Sequence, residues 1–388
     1  MNRKLLSLVL AAALIAGSAG FAFAQDTETM ANMDFIGDAI KLSLNEATAK
    51  MQTDGPGAEA AALNLKAAKA TARGYNESIE NTNEMLEKYS DLGIISSSLP
   101  TESDVNLVKL QRDFAGTQGA FNFEAEMNAL EIATVQNYFM VLQAQDAVKI
   151  QEENLAVQQR IASNTQKKFD LGMVAKQDVL QAEIAVLSAR DGLTAAQNAL
   201  KLANMGFNNL LGYEVMQALQ LTDTLQAVEV SSIPLEEAIS MALTQRNEIK
   251  AAAFGVKIQN VMMNRIKYRY PSTSATYLKQ QVAMLNAQTY YNSAITGVEI
   301  DVRSKYMAMM QAKEAIEKGT ASVTKARELL RLSELSYSVG INTIADVQQV
   351  QILLLGEELG LSQAILTYDL AVYSYEIAAG VGTFSAPL

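Results

Sequence analysis

The chain has no cysteine, no histidine and no tryptophan, and only five prolines in 388 residues. Without cysteine there is no disulfide framework and no thiolate ligand. Without histidine as well, the common zinc sites and histidine acid–base catalysis are excluded. Carboxylates remain, but no pair of acids sits in a glycine- or aromatic-rich loop. No enzyme, no metal site and no cofactor are therefore expected. Basic charge is also scarce: the formal net charge is −11. That argues against a nucleic-acid partner, because phosphate contacts need clustered Lys and Arg. After the first two dozen residues there is no apolar run of about 18, so no spanning helix is expected.

What is present begins with Asn2-Arg3-Lys4, an apolar run from Leu5 to Ala16, and Ala22-Phe23-Ala24 before Gln25. A short basic segment, an apolar stretch and an A-x-A site have the form of a secretory signal peptide over 1–24. The mature chain is expected to be exported. The segment carries Arg3 and Lys4 and no acid, so its loss moves the net charge from −11 to −13.

The prolines, at 56, 100, 234, 271 and 387, fall at breaks. Between them the chain is rich in Ala, Leu, Gln, Glu and Lys, all strong helix formers. The pattern predicts a short helix from about Phe35 to Met51 and a second over 58–88, followed by a loop at 92–102. A very long helix then starts behind an N-cap at Ser103 and runs to Phe169, with a possible defect at Gly116 to Gly119. Such a helix would be about 97 Å long. A rod or tube needs that length; an ordinary globular core does not.

The chain also repeats itself. Phe169-Asp-Leu-Gly172-Met-Val174 leads to Asp178, and Tyr337-Ser-Val-Gly340-Ile-Asn-Thr343 leads to Asp346. Gly172 and Gly340, Asp178 and Asp346, Gly212 and Gly380, and Tyr138 and Tyr306 are all 168 residues apart. Matching spacing over such a length is a duplication. Leu193, Ala196, Leu200, Ala203, Phe207 and Leu210 recur at 3-4 spacing, and so do their partners Leu361, Ala364, Tyr368, Ala371, Tyr375 and Ala378. That is the spacing of closely paired helices. The fold expected is all-α dominated: two tandem repeats of long antiparallel coiled-coil hairpins. The first repeat covers 25–213 with its turn at 169–178, and the second covers 234–380 with its turn at 337–346. A connector at 214–233 has strand character at Val228, Val230 and Ile233, and 381–388 is a tail. Pro234 opens a short helix at its first turn. Glu237-Ala238-Ile239 there matches Asp38-Ala39-Ile40 at an offset of 199.

Asn137-Tyr-Phe-Met-Val-Leu142, Lys168-Phe-Asp-Leu-Gly172 through Glu183, Asn209-Leu-Leu-Gly212, Arg246-Asn-Glu-Ile249 and Tyr337-Ser-Val-Gly340 follow one another in order. Taken together they resemble the TolC-like outer membrane efflux proteins, with Asn247 where that family has proline. The resemblance implies a homotrimer whose paired helices wall a conduit through the periplasm. It also implies a periplasmic adaptor at the tips, an inner-membrane pump beyond the adaptor, and a β-barrel in the outer membrane at the far end. Barrel strands of about 9–11 alternating residues are not found here, so they are expected to be short or absent. Only Ile94-Ile95 and Ala120-Phe-Asn-Phe-Glu124 hint at them. A helix–loop–helix closure at 91–103 and 269–274 would stand in their place. An envelope scaffold that keeps the rods without a pore is the alternative reading.

The resemblance further implies adaptor docking at Phe169, Gly172, Val174, Tyr337, Gly340 and Thr343. It implies a pore-mouth gate of Asp178, Tyr337, Asn342, Asp346 and Gln349. Asn342 and Gln349 stand where the family has an Arg and a second Asp. The charged latch is thus lost, and a mouth held more by packing than by ion pairs is expected. Asp178 and Asp346 also suit the first turn of a helix, where a carboxylate complements the dipole.

Overall fold

The structure is a computed structural model that describes residues 35–92 and 100–387. The signal segment 1–24 and Ile94-Ile95 lie outside the described residues. In chain order the elements are β1 (Ile36–Leu42), α1 (Leu44–Asp54), α2 (Pro56–Asp91), α3 (Glu102–Asp170), α4 (Lys176–Leu211), β2 (Gln217–Leu221), α5 (Leu235–Gln245), α6 (Asn247–Lys267), α7 (Ala275–Ser338) and α8 (Ile344–Ala379). α3 and α7 run unbroken for 69 and 64 residues. Those lengths are about 104 and 96 Å.

α3 pairs antiparallel with α4, and α7 with α8. In the first repeat Tyr138 packs edge-on to Phe207, ring centres 5.9 Å apart. In the second, Tyr306 and Tyr375 meet at the matching positions, tilted, with ring centres 5.5 Å apart. All four positions are related by the offset of 168 read from the sequence. Each pair sits within its own core. One core gathers Val135, Val141, Leu142 and Leu211 around Tyr138. The other gathers Val302, Met309, Val372 and Ala378 around Tyr375. A third core near the glycine turns joins Ile161 to Val323, Leu330, Ile344 and Val347, so the two hairpins also pack on each other there.

The cap of α3 falls two residues before the expected Ser103. Thr101 takes that place: its N–H and hydroxyl both donate to the Asp104 carboxylate, at 2.8 and 2.7 Å. The helix passes through Gly116 and Gly119 without a defect. A Cβ on Gly119 would collide with that of Ala68, so the missing side chain lets α2 lie close against α3.

The expected helix at Phe35–Met51 is only half right. Ser43 and Glu46 form a capping box: Glu46 N–H donates to the Ser43 hydroxyl at 3.4 Å, and Ser43 N–H donates to Glu46 at 2.8 Å. That starts α1 at Leu44 and leaves Ile36–Leu42 extended. β1 pairs in parallel with β2, Ile40 beside Leu219 and Leu42 beside Leu221. Asp38-Ala39-Ile40 is therefore strand, and its match to the helical Glu237-Ala238-Ile239 fails. The helices correspond instead through Leu44 and Leu235, Ala47 and Ala238, at an offset of 191. Strand character in the connector also sits earlier than expected, at 217–221 and not at 228–233. Pro234 is the cap residue before α5, not its first helical residue.

β1 and β2 are the only strands among the described residues, and they close no barrel. Ala120–Glu124 lies within α3. At 268–274 the chain turns directly from α6 into α7, where the Ser274 hydroxyl accepts from the Tyr277 N–H at 3.2 Å. No described helix is long and apolar enough to cross a membrane.

The tail after Gly380 is tied down. Asn247 N–H donates to the Val381 carbonyl at 3.3 Å, and the Asn247 side chain donates to Phe384 at 2.7 Å. Asn122 on α3 both donates to the Ala386 carbonyl (2.6 Å) and accepts from its N–H (2.9 Å). Beside it, buried Arg246 pairs with Glu248 at 2.6 Å and Asp301 at 3.0 Å. The tail thus links helices of both repeats.

Candidate functional site: the paired tips

Both glycine turns are at the same end of the rod. α3 ends with Leu171 as its last half-helical residue. Gly172 then takes φ +72°, its N–H donating to Phe169 at 2.8 Å, and Met173 N–H donates to Lys168 at 2.8 Å. At the end of α7 Gly340 takes φ +79°, donating to Tyr337 at 3.2 Å, and Ile341 N–H donates to Ser336 at 2.9 Å. The two bond pairs make one and the same left-handed cap, a geometry that glycine adopts without Cβ strain.

The next helices begin alike. The Asp178 carboxylate accepts from the Ala175 N–H at 3.0 Å. The Asp346 carboxylate accepts from the Thr343 N–H and hydroxyl at 2.8 and 2.7 Å. The hydroxyl and then the backbone bond hold the Asp346 carboxyl below the usual range. Among the described residues neither Asp178 nor Asp346 is in an ion pair. Each visibly caps its own helix.

A groove of about 560 Å³ opens between the two turns. Of the residues expected at the tip, it brings together Val174, Asp178, Tyr337, Gly340, Asn342 and Thr343. Phe169, Gly172, Asp346 and Gln349 are outside it. Phe169 is covered by the Lys176 ammonium, 5.6 Å from its ring centre. Gln349 is exposed on α8. The neighbouring Gln348 makes the cross-helix contact, accepting from the Gln181 side chain at 3.1 Å. A count along the motif could not separate these two glutamines; the facing side of α8 could.

Three contacts that join the tips were missed in the sequence. The Lys168 ammonium lies 3.8 Å from the Tyr337 ring centre and donates to the Tyr337 carbonyl at 2.6 Å. The Tyr337 hydroxyl meets that of Thr165 at 3.1 Å. Arg160 pairs with Glu334 at 2.7 Å. Lys168 and Thr165 are four and seven residues before Gly172, which is one helical face. That spacing was the available signal. The turns themselves carry bare apolar side chains: Ile341 is 78% exposed, Leu171 75%, Met173 65% and Val339 65%.

No metal-holding cluster of acids occurs among the described residues. The arrangement offers a groove between the two turns, with bare apolar side chains around it.

Residues 123–213 match the model of the family described as outer membrane efflux protein. No curated protein matches the chain in sequence. Among solved structures it is similar to the outer membrane protein VceC of Vibrio cholerae, at 13% identity over 88% of this chain and 97% of that one, with a TM-score of 0.67. It is also similar to the Campylobacter jejuni CmeC outer membrane channel (13%, 88% and 86%, TM-score 0.63). A third is the open state of the Neisseria gonorrhoeae MtrE outer membrane channel (14%, 88% and 89%, TM-score 0.63). At such identities the likeness is one of fold. With that fold over nearly the whole described chain and the efflux-protein signature in its first repeat, the resemblance to the TolC-like outer membrane efflux proteins holds.

Proposed function

We propose that the exported chain assembles as a homotrimer to form the duct of an envelope-spanning efflux or secretion route. In this reading a periplasmic adaptor docks on the tips, an inner-membrane pump supplies the energy through the adaptor, and the opposite end faces the outer membrane. One observation carries it: both glycine turns share one end and leave Leu171, Met173, Val339 and Ile341 exposed around a common groove. Apolar side chains bared at the end of a stiff rod suit a partner surface better than water. Docking then falls to Phe169, Gly172, Val174, Tyr337, Gly340 and Thr343. Asp178, Tyr337, Asn342, Asp346 and Gln349 form the mouth, where three copies of Asp346 around one axis favour cations over anions.

The test is substitution of the bare positions in the full chain. Met173→Asp with Ile341→Asp should leave helix content and melting temperature unchanged and abolish capture of the cognate adaptor. Cells carrying it should be as drug-sensitive as a deletion strain. Undiminished adaptor capture would refute docking at the tips.

A second reading is a scaffold of the envelope that keeps the rods and encloses no pore. The absence of barrel strands among the described residues favours it. Deletion of a scaffold leaves drug efflux unchanged, and deletion of a duct does not.

A further inference from the structure

The end opposite the tips has two free edges, and they differ in charge. The helices there pack in the order α2, α3, α6, α7, through α2–α3, α3–α6 and α6–α7 contacts. α2 and α7 are thus the outer members. On α2, Ala61, Ala68 and Ile79 are buried toward α3. The opposite face repeats every seventh residue with exposed Leu63, Ala70, Glu77, Glu84 and Asp91, flanked by Glu80 and Glu87. Residues 77–91 hold five acids and a single base, Lys88. None of those five acids is in an ion pair among the described residues.

The second hairpin has the reverse character. From 249 to 298 there are six Lys or Arg and no acid, in a chain of net charge −11. One of them, Arg265, is used internally, paired with Asp104 at 2.8 Å. Lys267, Arg269 and Lys279 are exposed and pair with no acid among the described residues. The free face of α7 beside them carries exposed Leu278, Val282 and Leu285.

The two edges are also at the same height. Ala68 lies against Gly119, Phe114 stacks on Phe254 at 3.6 Å, and Gln280 donates to Gln259 at 2.8 Å. Stepping across the wall through these contacts puts Lys279 level with Glu80 to within about one turn. By the same steps the small Gly74 is level with the large Leu285. Like charges would forbid side-by-side copies; here opposite charges and opposite sizes meet.

We propose that the acidic edge of α2 docks on the basic edge formed by α7 and the α6–α7 turn of the next copy. This charged clasp closes the ring at the end opposite the tips. The inference rests on the duct reading, since it supposes copies arranged head-to-tail around an axis, the heterologous contact that makes a closed ring.

The test uses the purified mature chain. One variant combines Glu80→Lys, Glu84→Lys and Glu87→Lys; a second combines Lys267→Glu, Arg269→Glu and Lys279→Glu; a third carries all six. Sedimentation should show each single-edge variant assembling at least about tenfold more weakly than the parent, with the six-site variant restored. Because the chain has no cysteine, Glu80→Cys with Lys279→Cys gives a second, independent readout. Oxidation should join separate copies covalently, even where a charge variant loses helix by circular dichroism. If the parent is a trimer, unchanged assembly of both single-edge variants with no cross-link overturns the clasp and leaves the duct standing. A parent that stays monomeric at every concentration overturns both.

Discussion

The Lys168 ammonium of the first tip sits over the Tyr337 ring of the second, 3.8 Å from its centre, and donates to the Tyr337 carbonyl at 2.6 Å. One side chain thereby holds two ends that are 169 residues apart in sequence. A cation over an aromatic ring gives about 0.5–1 kcal/mol, and a charged hydrogen bond adds about as much again or more. Lys168→Met should therefore lower stability by about 1–2 kcal/mol and speed hydrogen exchange around Gly340. Melting curves and exchange of the Val339–Asn342 amides check this. Equal protection in the variant would show that the tips are held by packing alone.

Two glycines of α3, three residues apart, should respond in opposite directions. Nothing lies within 4 Å of a Cβ added to Gly116, whereas one added to Gly119 meets Ala68. Gly116→Ala should stabilise by up to about 1 kcal/mol through helix propensity. Gly119→Ala should destabilise by about 1–3 kcal/mol because α2 must move away. Thermal unfolding of both variants decides it, and the same sign in both would refute the close α2–α3 approach.

Asp369 is fully buried on α8, with Oδ1 accepting from the Val228 N–H at 2.9 Å and Oδ2 without a partner. Burial pushes its carboxyl up to about 6 from 3.8, against the opposing Val228 bond. A raised carboxylate favours the protonated folded form. Its contribution to stability is complete below the unfolded value near 4 and is lost as pH rises through about 6. Asp369→Asn removes that penalty. It should stabilise the chain by about 1–3 kcal/mol at pH 7.5 and have little effect at pH 4. Melting temperatures of both proteins from pH 4 to 8 should diverge with rising pH; a constant difference would contradict the account.

Asn122 makes both bonds that hold Ala386, at 2.6 and 2.9 Å. Asn122→Leu leaves the Ala386 N–H and carbonyl without partners, at about 1–3 kcal/mol for such orphaned groups. The tail should detach before the rods melt, and carboxypeptidase should trim it faster than in the parent. Unchanged trimming would mean that Asn247 and Phe384 suffice to hold it.

Much of this fold was legible in the residues. A register of 168 repeated at Gly172, Asp178, Gly212 and Tyr138 reports a duplicated hairpin, because an insertion in either rod would break it. The turns were legible because Gly172 and Gly340 stand where only glycine is comfortable. The stretch Ile36–Leu42 misled because it has the apolar pattern of a short helix. Its strand state depends on β2, 179 residues on at Ile40 and Leu219, and on the Ser43–Glu46 box. At the tip, motif spacing located Asp178 and Asp346 and their fit to a first helical turn, and in the structure they cap α4 and α8. Lys168 was passed over because its partner lies on the other repeat.

The central claim is that three such chains wall a hollow tube with all six turns at one mouth. Electron cryo-microscopy of the purified mature chain tests it most directly. The account predicts a threefold particle with an open lumen, α2 of each copy beside α7 of the next, and Gly172 and Gly340 of every copy around the same opening. Monomers only, or a solid bundle with no lumen, would contradict it.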